Sequence, residues 1–113
     1  MKTLITLILI TLFITGCNKF DIEKGTPKCV VKRIKKNPGF DCGEKGKVNE
    51  YLFQGKTVFV FESENYNCGA DLGVDVIDSD CNSVGYLGGI SGNTKINGEE
   101  FKNATFVKTV YQK

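Results

Sequence analysis

The sequence predicts an α+β domain in which a short N-terminal helix packs on an antiparallel β-meander of four to five strands, stapled by disulfides. Three observations carry that expectation. The stretch Val48–Glu62 (VNEYLFQGKTVFVFE) reads as two strands joined at Gln54-Gly55. A short amphipathic segment, 27–36, precedes it. Four cysteines remain once the amino-terminal one is set aside, and an even number suits a disulfide framework in a small exported domain.

The helix comes first. Thr26 is placed to cap it and Pro27 to occupy its first position. Between Pro27 and Lys36, Val30 and Ile34 fall at i and i+4 on one face, with Cys29 at its edge. Lys32, Lys35 and Lys36 fall elsewhere, and the last two complement the negative end of the helix. Asn37-Pro38 stops it. The run Lys32-Arg33-Ile34-Lys35-Lys36 is read as the exposed side of a short helix, with a patch for anionic lipid or nucleic acid as the alternative.

In the hairpin, a two-residue turn at Gln54-Gly55 sets Leu52 opposite Thr57, Glu50 opposite Phe59 and Val48 opposite Phe61, with Tyr51 facing Val58. Phe59 and Phe61 then share one face, and Val58 and Val60 the other. Apolar residues on both faces mark 57–61 as a central strand with the helix on one side. The Gly-rich segment 40–47 lacks the spacing and context of a phosphate-binding loop. A polar loop, 63–72, leads to strands at 73–78 and 83–87 around a turn at 79–82. The segment 88–98 is turn-rich, with Asn97-Gly98 its clearest signal. Residues 104–111, rich in β-branched side chains, form the last strand.

The amino terminus sets the expected address. One positive charge at Lys2 precedes an apolar run of 11 residues, Leu4–Ile14. A bilayer span needs about 20 residues, whereas a run of this length suits a signal peptide. Ile14-Thr15-Gly16-Cys17 follows and resembles the bacterial lipobox. That resemblance implies cleavage before Cys17 and acyl chains on it, which hold a protein firmly when several are present. The expected organisation is a signal peptide at 1–16, a lipidated tether at 17–26 and a single domain at 27–113. Asn18, where an inner-membrane retention signal would carry Asp, favours the outer membrane, on its periplasmic face or at the surface.

Charge excludes some functions. The precursor carries 15 Lys+Arg and 13 Asp+Glu, and no His. So small a net charge argues against a dedicated nucleic-acid binder. Without His the commonest general base and metal ligand are missing. Residues 57–94 hold six acids (Glu62, Glu64, Asp71, Asp75, Asp78 and Asp80) and no Lys or Arg. Two solvated faces explain this most simply; an acidic patch for a basic partner is the alternative.

With Cys17 assigned to lipid, Cys29, Cys42, Cys68 and Cys81 admit three connectivities. Spacing favours Cys29–Cys42 and Cys68–Cys81, each closing a loop of similar length. No CxxC and no His argue against zinc. An unactivated thiol is a poor nucleophile. The Asp78-Ser79-Asp80-Cys81-Asn82 segment begins like an EF-hand loop, but Ser83 and Gly89 stand where its Gly and bidentate Glu belong, so a β-turn is the better reading. Ser91 lies in GGISG, outside any nucleophile elbow. No metal, no cofactor and no enzymatic activity are expected.

From Cys29 onward the chain resembles an uncharacterised family of small bacterial lipoproteins of the Bacteroidetes type. The shared residues are Cys29 at the head of a short helix, Tyr51-Leu52-Phe53-Gln54-Gly55-Lys56-Thr57-Val58-Phe59, the turn Asp78-Ser79-Asp80, and Gly88-Gly89-Ile90-Ser91-Gly92. Cys81 stands where the turn of that family has Gly. The resemblance implies fold and envelope location and assigns no activity. The expected function is a non-enzymatic binding module for an envelope protein or glycan, including inhibition of a lytic enzyme, with Tyr51, Tyr66, Asp71, Asp75, Asp78, Asp80 and Tyr86 as candidate contacts. The rival is an accessory subunit of an envelope assembly. The membrane, through the lipid, is the other expected partner.

Overall fold

A computed structural model of the chain describes residues 21–36, 46–63 and 73–113. Its elements are helix α1 (Lys28–Lys36) and strands β1 (Gly46–Phe53), β2 (Lys56–Ser63), β3 (Gly73–Asp78), β4 (Ser83–Gly88), β5 (Lys95–Ile96), β6 (Glu99–Glu100) and β7 (Thr105–Gln112). A 3-10 turn, Phe101–Asn103, precedes β7. Five strands form one antiparallel sheet in the order β4-β3-β2-β1-β7, and β5 and β6 form a small hairpin of their own. The α+β class is therefore as expected.

The central hairpin has the expected register: Leu52 pairs with Thr57, Glu50 with Phe59, Val48 with Phe61 and Tyr51 with Val58. Its turn supplies the reason. Gln54 and Gly55 both have positive φ, 52° and 74°, as a two-residue turn matched to strand twist requires. Strand β2 lies at the centre of the sheet and is apolar on both faces. Phe59 is buried with Val30, Ile34, Val48, Ile77, Val110 and Tyr111. This is the helix face. Val58 and Val60 are buried on the opposite face with Phe53, Val76 and Ile96.

Three expectations need correction. First, the sheet is a meander only through β4. Strand β7 returns beside β1, because residues 89–104 cross the second face from one edge of the sheet to the other. That excursion contains the β5–β6 hairpin, whose Asn97-Gly98 turn also has positive φ at both positions, 51° and 81°. Ile96 anchors it: a side chain at Gly85 would stand 2.7 Å from Ile96 Cγ1. The Gln54 amide ties the two hairpin turns, donating to the Ile96 carbonyl and accepting from Asn97 Nδ2 at 3.3 and 3.2 Å. Strand β7 carries two irregularities, at Val107 and Val110, where the register against β1 skips. The second turns Val110 into the helix-face core beside Tyr111.

Second, Cys29 is bonded to Cys81, with Cα atoms 6.0 Å apart. Neither of the pairings favoured by spacing, Cys29–Cys42 and Cys68–Cys81, is present; Cys42 and Cys68 lie outside the described residues. The cause is tertiary. The helix lies over the β3 side of the sheet, where Arg33 reaches Asp75 at 3.6 Å and stands 5.1 Å from the Phe61 ring centre. That placement brings the start of α1 to the β3–β4 turn. Cys81 has φ 65°, the left-handed region that glycine favours.

Third, Thr26 does not cap the helix. Its hydroxyl donates to the Glu23 carbonyl at 2.6 Å, and the Pro27 carbonyl accepts the first helical bond, from the Val31 N–H. The segment 21–26, which reads as tether, is docked on the domain. The Glu23 N–H donates to the Val110 carbonyl at 2.9 Å, and Ile22 packs against the helix-face core. The signal peptide, Cys17 and residues 18–20 lie outside the described residues.

Candidate functional site

The excursion 89–104 does not cover the whole second face. Where it leaves the sheet open there is a cleft of about 420 Å³, lined by Tyr51, Val60, Glu62, Val74, Leu87, Gly88, Phe101, Lys102 and Ala104. Small-molecule sites commonly run from about 300 to 1,000 Å³. Strand alternation explains the floor: Tyr51, Val60, Glu62, Val74 and Leu87 all point to this side of the sheet. Val74 and Leu87 are a direct cross-strand pair.

Two aromatic rings make one wall. Tyr51 meets Phe101 edge-on at 5.2 Å between ring centres and Phe106 at 5.6 Å. Phe101 also packs against Phe53 at 5.1 Å. Such pairs prefer these tilted geometries and hold one another in orientation. The 3-10 turn places Phe101 and Lys102 at the mouth, and the Phe101 N–H donates to the Thr94 carbonyl at 2.9 Å.

The acid in the cleft is held by a polar chain. Thr109 Oγ1 donates to Asn49 Oδ1 at 2.7 Å, and Asn49 Nδ2 donates to Glu62 Oε2 at 3.2 Å. Lys47 Nζ lies 3.7 Å from the same oxygen. Asn49 is 4% exposed, and a polar group so buried is tolerated because both ends of its amide are bonded. An ion pair as open as Lys47–Glu62 adds little stability, about 0–1 kcal/mol. Its effect is positional: the pair directs Glu62 while both contacts fall on Oε2. The cleft thus offers an apolar floor, two ring faces, one oriented carboxylate and one ammonium.

The candidate contacts expected from sequence do not converge. Tyr51 lines the cleft. Tyr86 lies on the opposite, helix side, directly across from Asp75, and its hydroxyl accepts from the Gly73 N–H at 3.0 Å. Asp75 is occupied by Arg33 and by the Ser83 hydroxyl, at 2.6 Å. Asp78 Oδ1 accepts from the backbone N–H groups of Asp80 and Asn82, both at 2.9 Å. These bonds, that from Asn82 foremost, hold its carboxyl below the ordinary carboxylate value. The Asp78–Asn82 segment is accordingly a β-turn organised by its own first residue. Asp80 is exposed. Tyr66 and Asp71 lie outside the described residues. Among the described residues no group of His, Cys, Asp and Glu is placed to hold a metal ion.

Sequence reasoning missed Phe101, Lys102 and Asn49, and placed Glu62 only in the acidic stretch 57–94. Only Asn49 left a signal: a lone amide in a strand slot facing Val60, where an apolar residue would be expected.

A family model described as a domain of unknown function, DUF6970, matches residues 34–113. No curated protein and no solved structure matches the chain.

Proposed function

The chain belongs to the DUF6970 family of unknown function, and we propose that it is a non-enzymatic binding module of the bacterial cell envelope, anchored by acyl chains on Cys17. The single observation that carries the binding part is the cleft beside Tyr51 and Phe101. Its rings and apolar floor suit an apolar side chain or the flat face of a sugar. Glu62 and Lys102 suit the charged groups that flank such a moiety in a peptide or a peptide-bearing glycan. The Cys29–Cys81 bond supports export, since structural disulfides persist in oxidising compartments. The lipobox-like Ile14-Thr15-Gly16-Cys17 supports the anchor, and Asn18 favours the outer membrane.

The test uses the chain purified from membranes, titrated with soluble peptidoglycan fragments and, separately, with a basic lysozyme. Saturable binding to either probe should weaken at least tenfold in Tyr51→Ala and in Leu87→Asp. Binding of equal strength in both variants, or none with either probe, would overturn the cleft reading.

A second reading, an accessory role in an envelope assembly, is favoured by Leu52, Phe106 and Val107. These stand 48%, 55% and 48% exposed at the β1–β7 edge. A stoichiometric protein partner co-purifying in detergent, and lost in Phe106→Asp with Val107→Asp but kept in Leu87→Asp, selects it.

A further inference from the structure

Helix α1 carries lysines at 28, 32, 35 and 36, and all four are exposed. At about 100° per residue these positions fall within roughly 100° of arc. Val30 and Ile34, fully buried in the core, lie on the opposite side of the helix. The stripe therefore points straight out from the helix face of the sheet, with no acidic residue in α1 to offset it. Arg33, the remaining cation of the helix, lies at the side of the stripe and is engaged by Asp75 and Phe61.

The docking of residues 21–26 adds a second constraint. Ile22 packs into the core beneath α1, and Glu23 is hydrogen-bonded to Val110. The free leash is thus at most the stretch from Cys17 to Ile22, roughly 17 Å when fully extended. Glu23 and Lys24, both exposed between leash and helix, offset one another and leave the charge to the stripe.

We propose that the lysine stripe of α1 rests on an anionic phospholipid surface, so that the helix face of the sheet lies toward the membrane and the cleft opens away from it. Clustered lysines on an amphipathic helix are attracted to anionic leaflets over about a Debye length. A leash this short keeps the stripe within reach. The inference rests on the lipid anchor but not on the cleft's ligand.

The lipidated chain, in vesicles of phosphatidylcholine alone or mixed with phosphatidylglycerol, is treated briefly with a water-soluble amine acylating reagent and mapped by mass spectrometry. Lys28, Lys32, Lys35 and Lys36 should react several-fold more slowly with phosphatidylglycerol present. High salt should remove the difference, and Lys95 and Lys102 should be unchanged. Equal reactivity in both vesicles overturns the proposal, as does equal protection of Lys95 and Lys102. Protection by a soluble anionic glycan in detergent, with none from phosphatidylglycerol, also overturns it and assigns the stripe to a glycan. The mass of the Cys17 peptide, read in the same digest, reports the anchor separately. An unlipidated Cys17 overturns the anchor, and the orientation with it. A lipidated Cys17 with unprotected lysines overturns the orientation alone.

Discussion

The two faces of the sheet are covered by different means. The helix face is sealed by α1, whose Val30 and Ile34 enter the core, and is locked by the Cys29–Cys81 bond and the Arg33–Asp75 pair. The other face is covered by an irregular excursion held at a few points: Ile96 over Gly85, the Gln54 amide and Phe101 against Tyr51 and Phe53. A helix presents a continuous stripe and leaves little room beneath it. Two-residue strands and a 3-10 turn cannot do the same, so a cleft remains. The covalent bond and the helix fall on one side and the open cleft on the other, as when a regular scaffold carries the segments that bind.

The sharpest way to break this contrast is Phe59→Ala. Phe59 is completely buried on the helix face, and such truncations cost about 3–5 kcal/mol. That is a large share of the roughly 5–15 kcal/mol of a small domain. Urea denaturation should show a loss of that size, whereas Val60→Ala on the cleft face should cost clearly less. Next comes Cys29→Ser with Cys81→Ser. The bond joins residues 52 apart, and a loop of that length implies about 4 kcal/mol in the chain-entropy account. Thermal melting of the double variant beside the oxidised parent should show the loss.

On the other face, Gly85→Val should cost about 1–3 kcal/mol by overpacking Ile96. It should also displace the β5–β6 hairpin, so that ligand binding in the cleft falls while the near-ultraviolet signature of the helix face survives. Smallest is the effect of acid on the β3–β4 turn. The carboxyl of Asp78 is lowered by its N–H donors, so its contribution is complete above the ordinary carboxylate value. That contribution is lost as pH falls through the lowered one. Asp78→Asn should make acid unfolding slightly less steep below about pH 4 and change nothing near neutrality.

What the sequence disclosed follows the same division. The β1–β2 register could be read because it is local: one two-residue turn and two alternating strands determine every pair. The helix and its buried Val30 and Ile34 could be read for the same reason. The disulfide could not, because Cys29 and Cys81 meet only after the helix has docked across the sheet. The position of β7 depends on a crossing whose two-residue strands leave no periodicity. The cleft draws Tyr51, Val60, Val74, Leu87 and Phe101 from five separate elements, so no stretch of sequence contains it. Tyr51 was identifiable as an aromatic on a strand, whereas Phe101 looked like any residue between a turn and a strand.

The sulfur bridge also bears on mechanical load. If the amino terminus is tethered while the chain is pulled beyond Cys81, tension entering at Cys29 passes directly to Cys81, which is 52 positions further along the chain. The residues between them are shunted and cannot be drawn out as slack. The protein would then behave under force as a short, stiff link instead of an unspooling thread, for as long as its surroundings stay oxidising.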